Sequence, residues 1–166
     1  MVNSVTGLSN GNAVIGGSLP VLTVWNPSAN SLVTTIKIPN PNHIMQLPLP
    51  DGRKAVAVSS GVDICTVSTS SCIVLSNQDE SYGNRLALTT GGLLVLCVQG
   101  YYCKAWNYMT FQLVFNTNNI HKGRIWAVIG LKDGNFATAS GDFTSKIVSG
   151  TNGTVIWTLG GPNGQG

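Results

Sequence analysis

Apolar residues along the chain come in short runs, separated by polar turns that carry glycine. Four turn segments line up: Leu8–Gly11, Leu49–Gly52, Leu88–Gly91 and Leu131–Gly134, their leading leucines 41, 39 and 43 residues apart. Each precedes an apolar run, Ala13–Ile15, Ala55–Val58, Leu93–Val98 or Phe136–Ala139. A second strand-like segment follows each run: Val21–Trp25, Val62–Val67, Tyr102–Trp106 and Lys146–Val148. A third follows at Leu32–Ile36, Cys72–Leu75, Leu113–Phe115 and Val155–Leu159. A fourth leads into each turn, at Val2–Leu8, Ile44–Leu49, Arg85–Leu88 and Ile125–Leu131. These segments are rich in Val, Ile, Leu, Thr and aromatics, and none steps by three or four as a helix face does. Asp51-Gly52 and Asp133-Gly134 are hairpin dipeptides, because tight hairpin turns need positive φ. The pattern predicts an all-β chain of four units with four strands each, over residues 1–38, 39–76, 77–116 and 117–160, with a Gly-rich tail at 161–166.

Composition narrows the function classes. Of 166 residues 43% are hydrophobic and only 9% charged, against about 25% charged in an ordinary soluble domain. Disorder needs the opposite balance. The apolar run Leu93–Val98 is far short of the roughly 20 residues that span a bilayer, so no membrane span is expected. The net charge of +3 comes from scattered residues, with only Lys122 and Arg124 forming a basic spot beside His121. Nucleic-acid binding rests on several phosphate contacts, and this spot is too small to make them.

The repeat resembles the WD-repeat family, whose blades are four-stranded antiparallel sheets set radially around a channel. Val24-Trp25-Asn26 and Ala105-Trp106-Asn107 are similar to the motif that ends the third strand of a blade, and Cys65 and Val148 stand at the equivalent place in the other units. The fourth unit matches on its other side, with His121, Ile125-Trp126-Ala127-Val128, Leu131–Gly134 and Ala139–Asp142. The resemblance implies a β-propeller of four blades, a hydrogen-bonded set of His121, Ser140 and Asp142, and loops that gather on one face. Those loops hold Tyr82, Arg85, Tyr101, Tyr102, Arg124 and Phe143, residue types that dominate binding surfaces. Four blades seldom close a ring. The resemblance therefore implies a partial ring or half of a two-chain ring, with two apolar blade faces that invite association.

The chemistry-bearing residues add little. His43 and His121 have no adjacent nucleophile motif, Asp51 and Asp133 read as turn formers, and Gly16-Gly17 and Gly91-Gly92 open no helix that would cradle phosphate. No enzyme activity, metal or cofactor is expected. Cys97 and Cys103 would lie opposite one another across a hairpin, which suits a disulfide. Cys65 and Cys72 would be diagonal neighbours around a turn at 68–71, so buried thiols are the commoner outcome for the four cysteines. Trp25, Trp106, Trp126 and Trp157 are expected in the packing between sheets. Asn152-Gly153-Thr154 is a glycosylation acceptor pattern, and with the low charge it tilts the expected compartment towards the cell exterior. The functions implied are a protein-interaction scaffold or structural assembly unit that self-associates, with a glycan-binding propeller as the alternative.

Overall fold

A computed structural model describes residues 2–38, 45–58, 61–76, 85–98 and 102–160. Among them the chain forms sixteen β-strands and no helix. They make four four-stranded antiparallel sheets, each a simple meander in chain order. The first sheet is β1 (Val2–Gly7), β2 (Ala13–Gly17), β3 (Val21–Asn26) and β4 (Ser31–Lys37). The second is β5 (Met45–Pro48), β6 (Lys54–Val58), β7 (Gly61–Thr66) and β8 (Ser71–Ser76). The third is β9 (Arg85–Leu88), β10 (Leu93–Cys97), β11 (Cys103–Asn107) and β12 (Leu113–Asn116). The fourth is β13 (Ile125–Gly130), β14 (Phe136–Ser140), β15 (Thr144–Val148) and β16 (Val155–Gly160). The chain divides into two compact units, Met1–Glu80 and Ser81–Gly166, each holding two sheets.

The repeated turns set the register. In three of them the leucine carbonyl accepts a hydrogen bond from the glycine amide three residues on, as Leu8 does from Gly11, and Gly11, Gly52 and Gly134 sit at φ near +85°; in the third turn the bond falls one residue later, from the Gly92 amide to the Thr89 carbonyl. A side chain is strained there, which is why glycine holds the place. The register then pairs Trp25 with Ala13, Cys65 with Lys54, Trp106 with Leu94 and Val148 with Phe136. The repeat position inferred from the sequence is thus a structural position.

In the first unit, Val14, Leu22, Val24, Ile36 and Ile38 pack against Val56 and Cys65 of the second sheet. Two buried charges interrupt this apolar interior. Lys54 donates from Nζ to the Gly7 carbonyl at 3.0 Å, and burial lowers its pKa. Asp63 is fully buried, neither carboxylate oxygen has a partner, and burial pushes its pKa up to about 6. In the second unit Val95, Cys97, Cys103, Ala105 and Phe115 of the third sheet pack against Ile125, Phe136 and Val148 of the fourth. The Phe115 and Phe136 rings stack there, 6.1 Å between centroids.

Two sequence expectations are corrected. The four cysteines are not thiols: Cys65 bonds Cys72 and Cys97 bonds Cys103. The turn after β7 falls at 67–70, one residue earlier than expected, so Cys65 and Cys72 are directly paired across β7 and β8, as Cys97 and Cys103 are across β10 and β11. Nor do all the tryptophans pack between sheets. Trp106 is buried, but Trp126 and Trp157 are 51% and 66% exposed.

Candidate functional site

The fourth sheet carries the densest polar construction among the described residues, at the hairpin joining β14 to β15. His121 is buried, with Nδ1 2.9 Å from Asp142 Oδ2 and Nε2 2.8 Å from Thr138 Oγ1. A carboxylate only accepts, so Nδ1 carries the proton and Nε2 accepts from the Thr138 hydroxyl. Asp142 is saturated. Oδ2 also accepts from the Lys122 amide at 2.8 Å, and Oδ1 accepts from the Thr144 amide at 3.0 Å and the Thr144 hydroxyl at 2.7 Å.

Burial pushes the Asp142 carboxyl up, but the Thr144 hydroxyl, the Lys122 amide and the His121 ring together hold it well below the usual carboxylate range. Burial lowers the His121 pKa by more than Asp142 raises it, so the ring is neutral at neutral pH. Ser140 stands apart from the histidine. Its hydroxyl donates to the Gly123 carbonyl at 2.9 Å and accepts from the Asp142 amide at 3.2 Å. Thr138 and Thr144, which sequence reasoning missed, make the hydroxyl contacts to His121.

This set braces a three-residue turn, Gly141–Phe143, with Phe143 at φ +65° and 84% exposed. A bulky side chain in the left-handed region costs on the order of 1–3 kcal/mol. The Asp142 and Ser140 bonds offset it. Gly141 donates its amide to the Arg124 carbonyl at 2.8 Å, and a Cβ on Gly141 would come within 2.9 Å of Trp126 Nε1. Arg124, Trp126 and the Phe143 turn are therefore one patch of surface. Arg85 joins it from the third sheet, its Nε donating to the Trp126 carbonyl at 2.9 Å.

Of the other binding residues expected from sequence, Tyr102 lies on the β10–β11 hairpin with the Lys104 ammonium 5.6 Å from its ring centroid. Tyr82 and Tyr101 lie outside the described residues. Asn152 is exposed in the turn before β16, and its Oδ1 accepts from the Thr154 amide and hydroxyl at 3.1 and 2.8 Å. Among the described residues no three His, Cys, Asp or Glu side chains are grouped to hold a metal, and no helix is long and apolar enough to cross a membrane.

No protein-family model matches the chain, and no curated protein matches it.

Proposed function

We propose that the chain is a set of WD-repeat-like propeller blades acting as a non-enzymatic interaction scaffold and assembly unit, with the Phe143 patch as its anchor for a partner protein. The observation that carries this reading is the pairing of an 84% exposed Phe143 with a turn held by a buried polar set. An aromatic held rigidly in solvent loses little freedom on binding, and Trp126, Arg124 and Arg85 around it are the residue types found at interface hot spots. The His121–Asp142–Thr138 chain has the composition of a catalytic relay. What supports a bracing role is that every Asp142 oxygen is engaged and the Thr138 hydroxyl is buried.

A glycan-binding reading draws on the same exposed ring, because an aromatic face also stacks on sugar. The two disulfides and the exposed Asn152 support a setting outside the reducing cytosol for either reading. Selection from a random peptide phage library, run beside a glycan array, tests the proposal. Enriched peptides that lose at least about tenfold in affinity with Phe143→Ala, the size of a hot-spot loss, would support it. Peptides indifferent to Phe143, Trp126 and Arg124 would overturn it, and retention on the array alone would favour the glycan reading.

A further inference from the structure

The turn between β15 and β16 carries Asn152-Gly153-Thr154, the tripeptide pattern that accepts an N-linked glycan. Only its middle residue is held down. Gly153 is buried, and a Cβ there would come within 2.7 Å of both the Phe115 ring and the Thr117 methyl. Asn152 and Thr154, on either side of it, both face solvent. The Thr154 hydroxyl donates to Asn152 Oδ1 at 2.8 Å, and the Thr154 amide donates to the same oxygen at 3.1 Å. Asn152 Nδ2 has no hydrogen-bond partner among the described residues. The two groups the pattern requires, an amide nitrogen and a hydroxyl, are thus presented together on a turn whose backbone is fixed.

The fold does not need asparagine at this place. Each sheet turns into its last strand through a residue at positive φ: Asn30, Ser70, Phe111 and Gly153. The residues just before these are Ala29, Thr69, Thr110 and Asn152, so the first sheet makes the same turn on an alanine. Backbone bonds close the turn in the fourth sheet. The Gly153 amide donates to the Ser149 carbonyl at 2.9 Å, and the Ser149 amide donates to the Thr154 carbonyl at 2.8 Å. The Asn152 side chain is surplus to that closure.

The cysteines are an independent observation that points the same way. All four are paired, as Cys65–Cys72 and Cys97–Cys103. Disulfides persist in the oxidising compartments that secreted chains pass through, and acceptor asparagines are modified in secreted chains.

We propose that Asn152 is a glycan acceptor, modified by transfer of an oligosaccharide from a lipid-diphosphate donor. Nδ2 attacks the anomeric carbon of the donor sugar. The bond from Nδ2 to that carbon forms as Nδ2 gives up one proton. The bond from the carbon to the phosphate oxygen breaks, and the lipid diphosphate leaves with its electron pair. Asn152 lies past one end of β15 and Phe143 past the other, about 17 Å apart along a five-residue strand. The inference uses no residue of the Phe143 patch, so either can fail without the other.

Mass analysis of the whole chain, made in eukaryotic cells behind a cleavable secretion leader, tests it, with secreted and retained protein pooled. The expected product carries added oligosaccharide mass that peptide N-glycosidase removes, leaving an aspartate at position 152. Asn152→Gln and Thr154→Ala each abolish the added mass, whereas Thr154→Ser, which keeps a hydroxyl, retains it. Asn26-Pro27-Ser28, where proline blocks the pattern, stays unmodified in the same digest. Unchanged far-ultraviolet spectra and intact disulfides in the variants separate loss of the acceptor from loss of the fold. An unmodified Asn152 in the wild-type chain, or added mass that survives Asn152→Gln or Thr154→Ala, would overturn the proposal.

Discussion

His121 Nδ1 lies 2.9 Å from Asp142 Oδ2, across 21 residues of chain, and this contact ties the segment entering the fourth sheet to the tip of its central hairpin. Removing the carboxylate strands three donor groups besides the histidine: the Lys122 amide, the Thr144 amide and the Thr144 hydroxyl. Asp142→Ala is expected to lower stability by about 2–4 kcal/mol, since several charge-assisted bonds are lost at once. Urea denaturation measures it, and Ser140→Ala, which touches the histidine nowhere, is expected to cost less.

The pH dependence has two opposed parts. His121 has its folded pKa lowered beneath the ordinary 6.5, so the unfolded chain binds the extra proton first. Its contribution is complete above 6.5 and is lost as pH falls below that value. Asp142 adds a further loss at more acid pH, below its ordinary 3.8. Asp63 runs the other way. Its folded pKa is raised from 3.8 to about 6, so its contribution is present below 3.8 and disappears as pH rises through 6. Denaturation midpoints between pH 4 and 8 should therefore vary weakly in wild type.

Asp63→Val separates these parts. The substitution puts a β-branched apolar side chain where an unpartnered carboxylate is buried beside Val56. Stability at neutral pH is expected to rise by about 1–3 kcal/mol, bounded by the ~1.4 kcal/mol that each pKa unit represents. The midpoint should then climb with pH up to about 6.5, the limb due to His121 alone.

Gly123 and Gly130 are expected to reject alanine for steric reasons. A Cβ on Gly123 would stand 2.5 Å from the Asp142 amide nitrogen and 2.8 Å from the Gly141 carbonyl carbon, both backbone atoms. One on Gly130 would collide with the Leu88 carbonyl, where β13 runs beside β9. Each alanine variant should lose about 1–3 kcal/mol or more, the usual cost of overpacking. Gly7→Ala, with open space around it, serves as the thermal-denaturation control.

Both disulfides close short loops, with separations of 7 and 6 residues. The chain-entropy model gives each about 2 kcal/mol of stabilisation. Alkylation without reductant should add no mass, and alkylation after reduction should mark all four cysteines.

The sheets were legible in the sequence because turn chemistry repeats where side-chain chemistry does not. The turn needs only a carbonyl and a positive-φ residue three positions on, and all four copies keep a glycine there, at Gly11, Gly52, Gly92 and Gly134. The polar set was half legible. His121 and Asp142 were reached through the resemblance of the fourth unit to a WD repeat, but Thr138 sits in a run, Phe-Ala-Thr-Ala-Ser, where a threonine reads as an ordinary strand residue. Asp63 was illegible for the same reason, since a carboxylate inside Val-Asp-Ile-Cys looks like an outward position. The exposure of Trp126 and Trp157 depends on what covers the outer face of the fourth sheet, which no local pattern encodes. For Cys65 and Cys72 the error was a turn misplaced by one residue, enough to convert an opposed pair into a diagonal one.

The most direct test of the contact surface is an amide and indole NMR titration of the chain with a selected peptide. Shift changes centred on Arg124, the Trp126 indole, Gly141 and Phe143, lost in Phe143→Ala, are the expected result. Changes confined to other residues, or unaltered in that variant, would contradict the account.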